Sequence, residues 1–91
     1  MEQVKQMVAA GVSLPTAIKE ALGRSVTAFA DSHGLSRQIS SEVLNCERSP
    51  RVDVCRAIAN DLGGDAFAWA NLLWEGARPH AEDFAADEAA A

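Results

Sequence analysis

This 91-residue chain has few of the residues from which catalytic or metal centres are built. It contains two cysteines, two histidines and no tyrosine, and it has no Gly-rich loop of the kind that cradles phosphate. Cys46 and Cys55 form no CxxC pair, and with His33 and His80 they lack the spacing typical of a zinc site. We therefore expect two reduced thiols, with Cys55 in the core, no metal or cofactor, and no enzymatic activity.

Long apolar runs and signal-like segments are also missing. No stretch approaches the roughly 18 apolar residues that a membrane span requires. The N-terminus, with Glu2 and Lys5, does not resemble a secretory signal. The sequence therefore predicts a cytoplasmic protein without membrane contact. Its length and its 48% of apolar residues suffice for one small domain with a single core.

Positive charge is scarce, with 8 basic residues against 13 acidic ones and a net charge of −5. Four acids lie in the last ten residues, namely Glu82, Asp83, Asp87 and Glu88. The rest of the chain is near neutral, with 8 basic residues against the remaining 9 acids. From Arg24 to Arg56, five arginines face four acids, a local charge of +1. So weak a basic footprint is compatible with nucleic-acid binding mainly in a dimer.

Helix caps and apolar periodicity predict an all-α fold, a compact domain of four to five helices. No segment alternates in the manner of a strand. A short, uncapped helix is also possible at the N-terminus. The cap and stop signals are Ser13 with Gly23, Ser25 with Gly34, Ser36, Ser49 with Pro50 and Gly63, and Asp65 for a last helix through Glu75.

The helix that begins after Ser36 has two contrasting faces. At 100° per residue, its buried arc comprises Ile39, Ser40, Val43 and Leu44. From the middle of that arc, the Ser40 hydroxyl can bond the Ser36 carbonyl. The opposite face holds Arg37, Gln38, Ser41, Glu42 and Asn45. It carries residue types that read base edges in a major groove, although any solvated surface helix has a polar face.

Two further features precede this helix. Ala30 is small where two helices would cross, and Gly34 supplies a turn with positive φ. The pattern resembles the Cro/lambda-repressor-like helix-turn-helix family of small phage and prophage-type regulators, over roughly Leu14 to Gly63. The matching segments are Ala30-x-x-x-Gly34-Leu35-Ser36-Arg37-Gln38, Val43-Leu44-Asn45, Arg48-Ser49-Pro50-Arg51 and Ile58-Ala59-x-x-Leu62-Gly63.

The resemblance implies a transcriptional regulator that binds double-stranded DNA sequence-specifically, most simply a repressor that occupies a promoter. It implies that the third helix reads DNA through Ser36, Arg37, Gln38, Ser41 and Asn45, while Arg48 and Arg51 approach phosphates. Three positions depart from the family pattern: Val26 replaces a frequent glutamine, Ser40 a β-branched aliphatic and Cys46 a glycine. We therefore expect Asn45 or Cys46 to adopt the left-handed conformation.

The last predicted helix is apolar around most of its circumference, so it needs two partners. One is the body of its own domain. The other is the same helix of a second copy or, within a monomer, the N-terminal helix. We expect a homodimer through Phe67, Trp69, Leu72, Leu73 and Trp74. A two-fold dimer would place two third helices one DNA turn apart on a palindromic operator.

These signals divide the chain into four parts. Residues 1–12 form an N-terminal helical extension, 13–63 the helix-turn-helix core, 64–76 the dimerisation helix, and 77–91 an acidic, alanine-rich tail that we expect to be flexible. A second hypothesis is a protein-binding module of the same fold, such as a phage-encoded inhibitor or adaptor, with weak or no DNA binding. The net acidity and Glu42 on the polar face favour it.

Overall fold

Six α-helices make up the part of the chain that the computed structural model describes, residues 1–77, and these residues form no strand. The helices are α1 (Glu2–Ala9), α2 (Leu14–Leu22), α3 (Val26–Ser32), α4 (Arg37–Leu44), α5 (Val52–Leu62) and α6 (Ala66–Ala77). The all-α prediction is confirmed, and α1 precedes the five helices that the cap and stop signals predict. None of the helices in residues 1–77 has the length and apolar character that a bilayer crossing requires. The predicted tail and His80 lie outside the described residues, apart from Ala77, which ends α6.

Serine hydroxyls cap three helices as predicted. Ser13, Ser25 and Ser36 each accept a hydrogen bond from the backbone N–H three residues later, at 3.4, 3.1 and 3.2 Å. Each bond satisfies one of the N–H groups that a helix start leaves unpaired. The predicted start of α5 is wrong. Because Arg51 has extended backbone (φ −106°, ψ 141°), α5 begins at Val52 rather than at Pro50.

The core lies where α5 packs along α6 and α2 meets α4 and α5. Its largest fully buried side chains are Trp69, Phe29, Ile18, Leu44, Ile58 and Leu73. The Trp69 indole donates a 2.8 Å hydrogen bond from Nε1 to the carbonyl of Gly63, the residue that ends α5. This bond satisfies the one polar group of the buried ring. Trp69 therefore fixes α6 to the end of α5.

Both cysteines are buried free thiols, as expected. Burial raises the pKa of Cys46, and burial together with the charge of Asp53 raises the pKa of Cys55 to about 11. Both thiols are therefore protonated at neutral pH. In residues 1–77, no three His, Cys, Asp or Glu side chains are grouped so as to hold a metal ion.

The left-handed residue expected at the end of α4 is Cys46, with φ +58°, whereas Asn45 has φ −90°. The turn that follows lies close to α6. A Cβ on Gly76 would lie 2.8 Å from Cys46 Sγ and 2.9 Å from Leu14 Cδ2. These distances are too short for a real contact, so glycine at position 76 lets α6 pass close to α2 and the end of α4.

Asp61, near the end of α5, connects α5 to α3. Its carboxylate pairs with Arg24, and its Oδ1 lies 3.2 Å from His33 Nε2. Arg24 and His33 both pack on Phe29, at 5.7 Å and 5.1 Å from the ring centroid. Partial burial alone raises the pKa of Asp61, but the hydrogen bonds with His33 and Arg24 outweigh it, so the pKa is lowered. His33 is half-buried and bridges α3 to α5, which is a structural role.

This cluster predicts a pH dependence of stability. A carboxyl whose pKa is lower when folded stabilises the fold above its unfolded pKa, and this contribution is lost as the pH falls through the folded pKa. We expect Asp61→Asn to lower the free energy of unfolding by roughly 0.5–1 kcal/mol at about pH 6, and by less at about pH 2.5. Urea denaturation at the two pH values measures this. An equal loss at both would contradict the assignment.

Ser40 is fully buried in the middle of the arc that α4 turns to the core, as predicted. The expected hydrogen bond to the Ser36 carbonyl is not made, however. Within residues 1–77, Ser40 Oγ is the buried side-chain oxygen or nitrogen without a hydrogen-bond partner. The Ser36 carbonyl instead accepts from the backbone N–H of Ser40, at 3.0 Å. The hydroxyl therefore bears an uncompensated desolvation cost.

We expect Ser40→Ala to raise the free energy of unfolding by about 1 kcal/mol, because it removes the unpaired hydroxyl and improves helix propensity. Thermal and urea denaturation measure the change. Ser41→Ala is the matched control, since Ser41 Oγ accepts a 3.3 Å hydrogen bond from Asn45. If Ser40→Ala raises the free energy of unfolding no more than Ser41→Ala does, the buried Ser40 hydroxyl does not destabilise the fold.

Candidate nucleic-acid interface

Residues 33–36 join α3 to α4, which pack against each other. Gly34 has φ +66°, a left-handed conformation that a Cβ would strain. The Leu35 N–H donates a 2.9 Å hydrogen bond to the carbonyl of Ala30, and this bond closes the end of α3. Ala30 is fully buried. These are the local features that the sequence pattern predicts, and together they fix the angle at which α4 leaves α3.

The polar face of α4, opposite its buried arc, lies at the surface, and we call it the outer face. Its first residues are exposed, namely Ser36, Arg37 and Gln38, and those farther along are half-buried, namely Ser41, Glu42 and Asn45. Because Val43 and Leu44 anchor the opposite face in the core, the first turn of α4 is its most accessible part. The helix start also presents backbone N–H groups, which suit a phosphate oxygen.

Arg37 is held by a carboxylate on α3. Its Nε and Nη2 donate to the two carboxylate oxygens of Asp31, both at 2.9 Å. The two side chains are 66% and 50% exposed, so the pair stands in water on the outer face. Asp31 raises the pKa of the guanidinium above its ordinary value, mainly through this hydrogen bond and then through its charge. The guanidinium plane is thereby fixed at the first turn of α4.

Glu42 is the acid that would repel phosphate on this face, and two neighbours engage it. Gln38 Nε2 donates to Glu42 Oε1 at 3.3 Å, and Arg48 Nε lies 3.3 Å from Glu42 Oε2. Arg48 comes from the loop that follows α4. The pairing brings a cation to the outer face and offsets the negative charge there.

Asn45 lies at the C-terminal end of the outer face. Its Oδ1 accepts from Lys19 Nζ on α2, and its Nδ2 donates to Ser41 Oγ at 3.3 Å. Both ends of the amide are thus engaged within the protein. Sequence reasoning missed Lys19 because the contact spans 26 residues and no local pattern marks it.

Each of the three arginines that are predicted to contact DNA pairs with an acid. The pairs are Arg37 with Asp31, Arg48 with Glu42, and Arg51 with Asp53 at 3.4 Å. They explain why the outer face carries little net charge. Exposed pairs of this kind contribute at most about 1 kcal/mol each, so phosphate can compete for Arg48 and Arg51 at modest cost.

The five residues predicted to form a dimer contact differ in their exposure. Trp69 and Leu73 are 0% and 1% exposed within one chain, so their assignment to an intermolecular surface is wrong. They face the chain's own core because α5 packs along that side of α6. Phe67 and Trp74 are 78% and 38% exposed and lie seven residues apart, which places them on one face of α6. Leu72 is half-buried.

The N-terminal helix, which is the alternative second partner predicted for α6, lies beside part of the α6 surface. Met1 and Lys5 line a shallow cleft with Leu72. Phe67 instead borders an apolar cavity of about 130 Å³ between α5 and α6, beside Val52, which is 62% exposed. We call Val52, Phe67 and Trp74 the α5–α6 apolar surface. Large apolar side chains gathered at a surface typically mark a contact with another molecule.

Comparison of the chain with protein-family models, with curated proteins and with solved structures finds no match. The side-chain chemistry of the outer face is therefore the main indication of function. The outer face offers planar donors, amides and hydroxyls on an anchored helix, and Arg48 pairs with Glu42 on it. Groups of this kind hydrogen-bond base edges and phosphates.

Proposed function

We propose that this protein is a sequence-specific double-stranded DNA-binding transcriptional regulator that acts as a homodimer, with α3, residues 33–36 and α4 as a helix-turn-helix. One observation carries the proposal: α4 is anchored by one face and exposes Ser36, Arg37 and Gln38 on the other, at its first turn. The major groove admits an α-helix presented in this way. A repressor that occupies its operator needs no further activity.

The residues have distinct roles in this proposal. Arg37 and Gln38 read base edges, guanine for the arginine and adenine for the glutamine. Ser36 and the free N–H groups of the helix start hold a phosphate, and Arg48 and Arg51 approach others. Ser41 and Asn45, which bond each other, have a smaller share in base contact and fix the end of α4.

The α5–α6 apolar surface is the proposed dimer contact. Two copies related by a two-fold axis would each contribute Phe67 and Trp74, and aromatic side chains are enriched in such interfaces. The dimer doubles a basic footprint that is weak in one subunit. It also implies an operator with two inverted half-sites, about 10 base pairs apart.

Selection from a library of random-sequence duplexes, about 30 base pairs long so that two half-sites fit, tests the proposal. The expected result is one enriched motif with two inverted half-sites. A Phe67→Ser/Trp74→Ser variant should enrich a single half-site more weakly, because it removes the dimer contact and leaves α4 intact. Failure of the wild type to enrich any sequence would overturn the proposal.

The second candidate function is a protein-binding module of the same fold. The observation that favours it is the pairing of Arg37, Arg48 and Arg51 with acids, in a chain of net charge −5. Salt separates the two functions, because DNA affinity falls steeply with ionic strength through counterion release. Absent or salt-independent DNA binding, with a protein bound through α4, would favour the module.

A further inference from the structure

Among the three arginines predicted to contact DNA, each of which pairs with an acid, Arg37 has a distinct geometry. Both of its bonds to Asp31 are 2.9 Å long and use parallel donors and acceptors. The pairs of Arg48 and Arg51 are looser, with closest approaches of 3.3 and 3.4 Å through Nε. A forked contact fixes the guanidinium plane, whereas a single long contact leaves it free to turn.

The fork also leaves one edge of the Arg37 guanidinium open. Asp31 takes Nε–H and one Nη2–H, so the remaining donors on Nη1 and Nη2 form the end-on edge of the group. That edge matches the two acceptors, O6 and N7, that guanine alone presents in the major groove. Since Asp31 and Arg37 are both exposed, a base can approach this edge without displacing the carboxylate.

Resting on the proposed DNA-binding function, we propose that Asp31 is a positioning residue that orients Arg37 toward one guanine in each half-site. The carboxylate restricts the rotamers of a long side chain before binding, so less conformational freedom is lost on base contact. Arg48 and Arg51, which no fork holds, serve phosphates, where a mobile charge suffices. The operator therefore has a guanine opposite the first turn of α4.

Charge and positioning predict opposite effects of removing Asp31. If only charge mattered, losing an acid on the DNA-facing surface would strengthen binding to every duplex. Positioning predicts weaker discrimination at one base, with binding to random-sequence DNA unchanged or stronger. A base preference at one position is also a readout that a merely structural role of Asp31 would not alter by itself.

The experiment repeats the selection from random duplexes with Asp31→Asn and Asp31→Ala. We expect the preference for guanine opposite the first turn of α4 to fall about tenfold, within the range for losing a good bidentate contact, while the other positions keep theirs. Arg37→Lys, which keeps the charge but lacks the fork, should lose the same preference. Glu2→Gln on α1 removes an exposed acid elsewhere and should change nothing.

Each other outcome has a definite meaning. An unchanged guanine preference in both Asp31 variants would overturn the positioning role while leaving the proposed function intact. Equal loss at all motif positions together with a lower melting temperature would also overturn it, because Asp31 would then act only on the fold. No enriched motif for the wild type would overturn the proposed function itself.

Discussion

Replacing Trp69 with alanine is expected to lower the free energy of unfolding by about 3–5 kcal/mol. The ring is fully buried where α6 meets α5, and its Nε1 bond to the Gly63 carbonyl would be lost with it. The substitution leaves a large cavity and an unpaired carbonyl at the end of α5. Since domains of this size are stable by only about 5–15 kcal/mol, this substitution removes a large part of the total stability.

Trp74→Ala is the matched control, because it truncates the same residue type in the same helix. Trp74 is 38% exposed, so a smaller loss of stability is expected, well under half of that at Trp69. Circular dichroism during urea denaturation measures both variants. Sedimentation measures the proportion of dimer. In that measurement Trp74→Ala should have the larger effect and shift the dimer toward monomer. Equal losses of stability would contradict the orientation of α6.

Replacing Arg37 with alanine is expected to abolish most sequence-specific binding. Loss of one bidentate guanine contact costs about 1–3 kcal/mol, and a two-fold dimer loses it in both half-sites, so the total is about 2–6 kcal/mol. Affinity for the selected operator should fall at least about thirtyfold. Fluorescence anisotropy with labelled duplexes measures the change.

Lys5→Ala is the control for charge alone. Lys5 carries the same unit charge but lies beside α6, where it lines the cleft with Leu72. This variant should bind the operator within about twofold of the wild type at moderate salt, since a distant exposed charge is screened. Losses of the same size for both variants would mean that net charge, not base contact, governs binding.

The fold follows from the sequence largely because its signals are local. Cap serines and the glycine at position 34 act within one turn of chain, and the structure places them as predicted. The left-handed conformation, found at Cys46, was expected at Asn45 or Cys46 from the family resemblance, which implies a glycine at position 46. The exposed start of α4 could likewise be predicted, because Val43 and Leu44 fix the face that turns inward.

What the sequence missed depends on tertiary contacts. Periodicity showed that α6 is apolar nearly all round but not which side faces α5, so Trp69 and Leu73 were assigned to the wrong surface. The partner of the Asn45 amide, Lys19, comes from another helix. The Ser40 hydroxyl was expected to bond the carbonyl one turn back, but it is buried without a hydrogen-bond partner.

DNA binding through the outer face of α4 is most directly tested by the salt dependence of affinity for the selected duplex. If Arg48 and Arg51 contact phosphates in both subunits, about four phosphates are neutralised, and log affinity should fall against log salt with a slope of about −3.6. Affinity would then drop roughly 100-fold between about 50 and 200 mM salt. An affinity unchanged over that range would contradict DNA binding through this face.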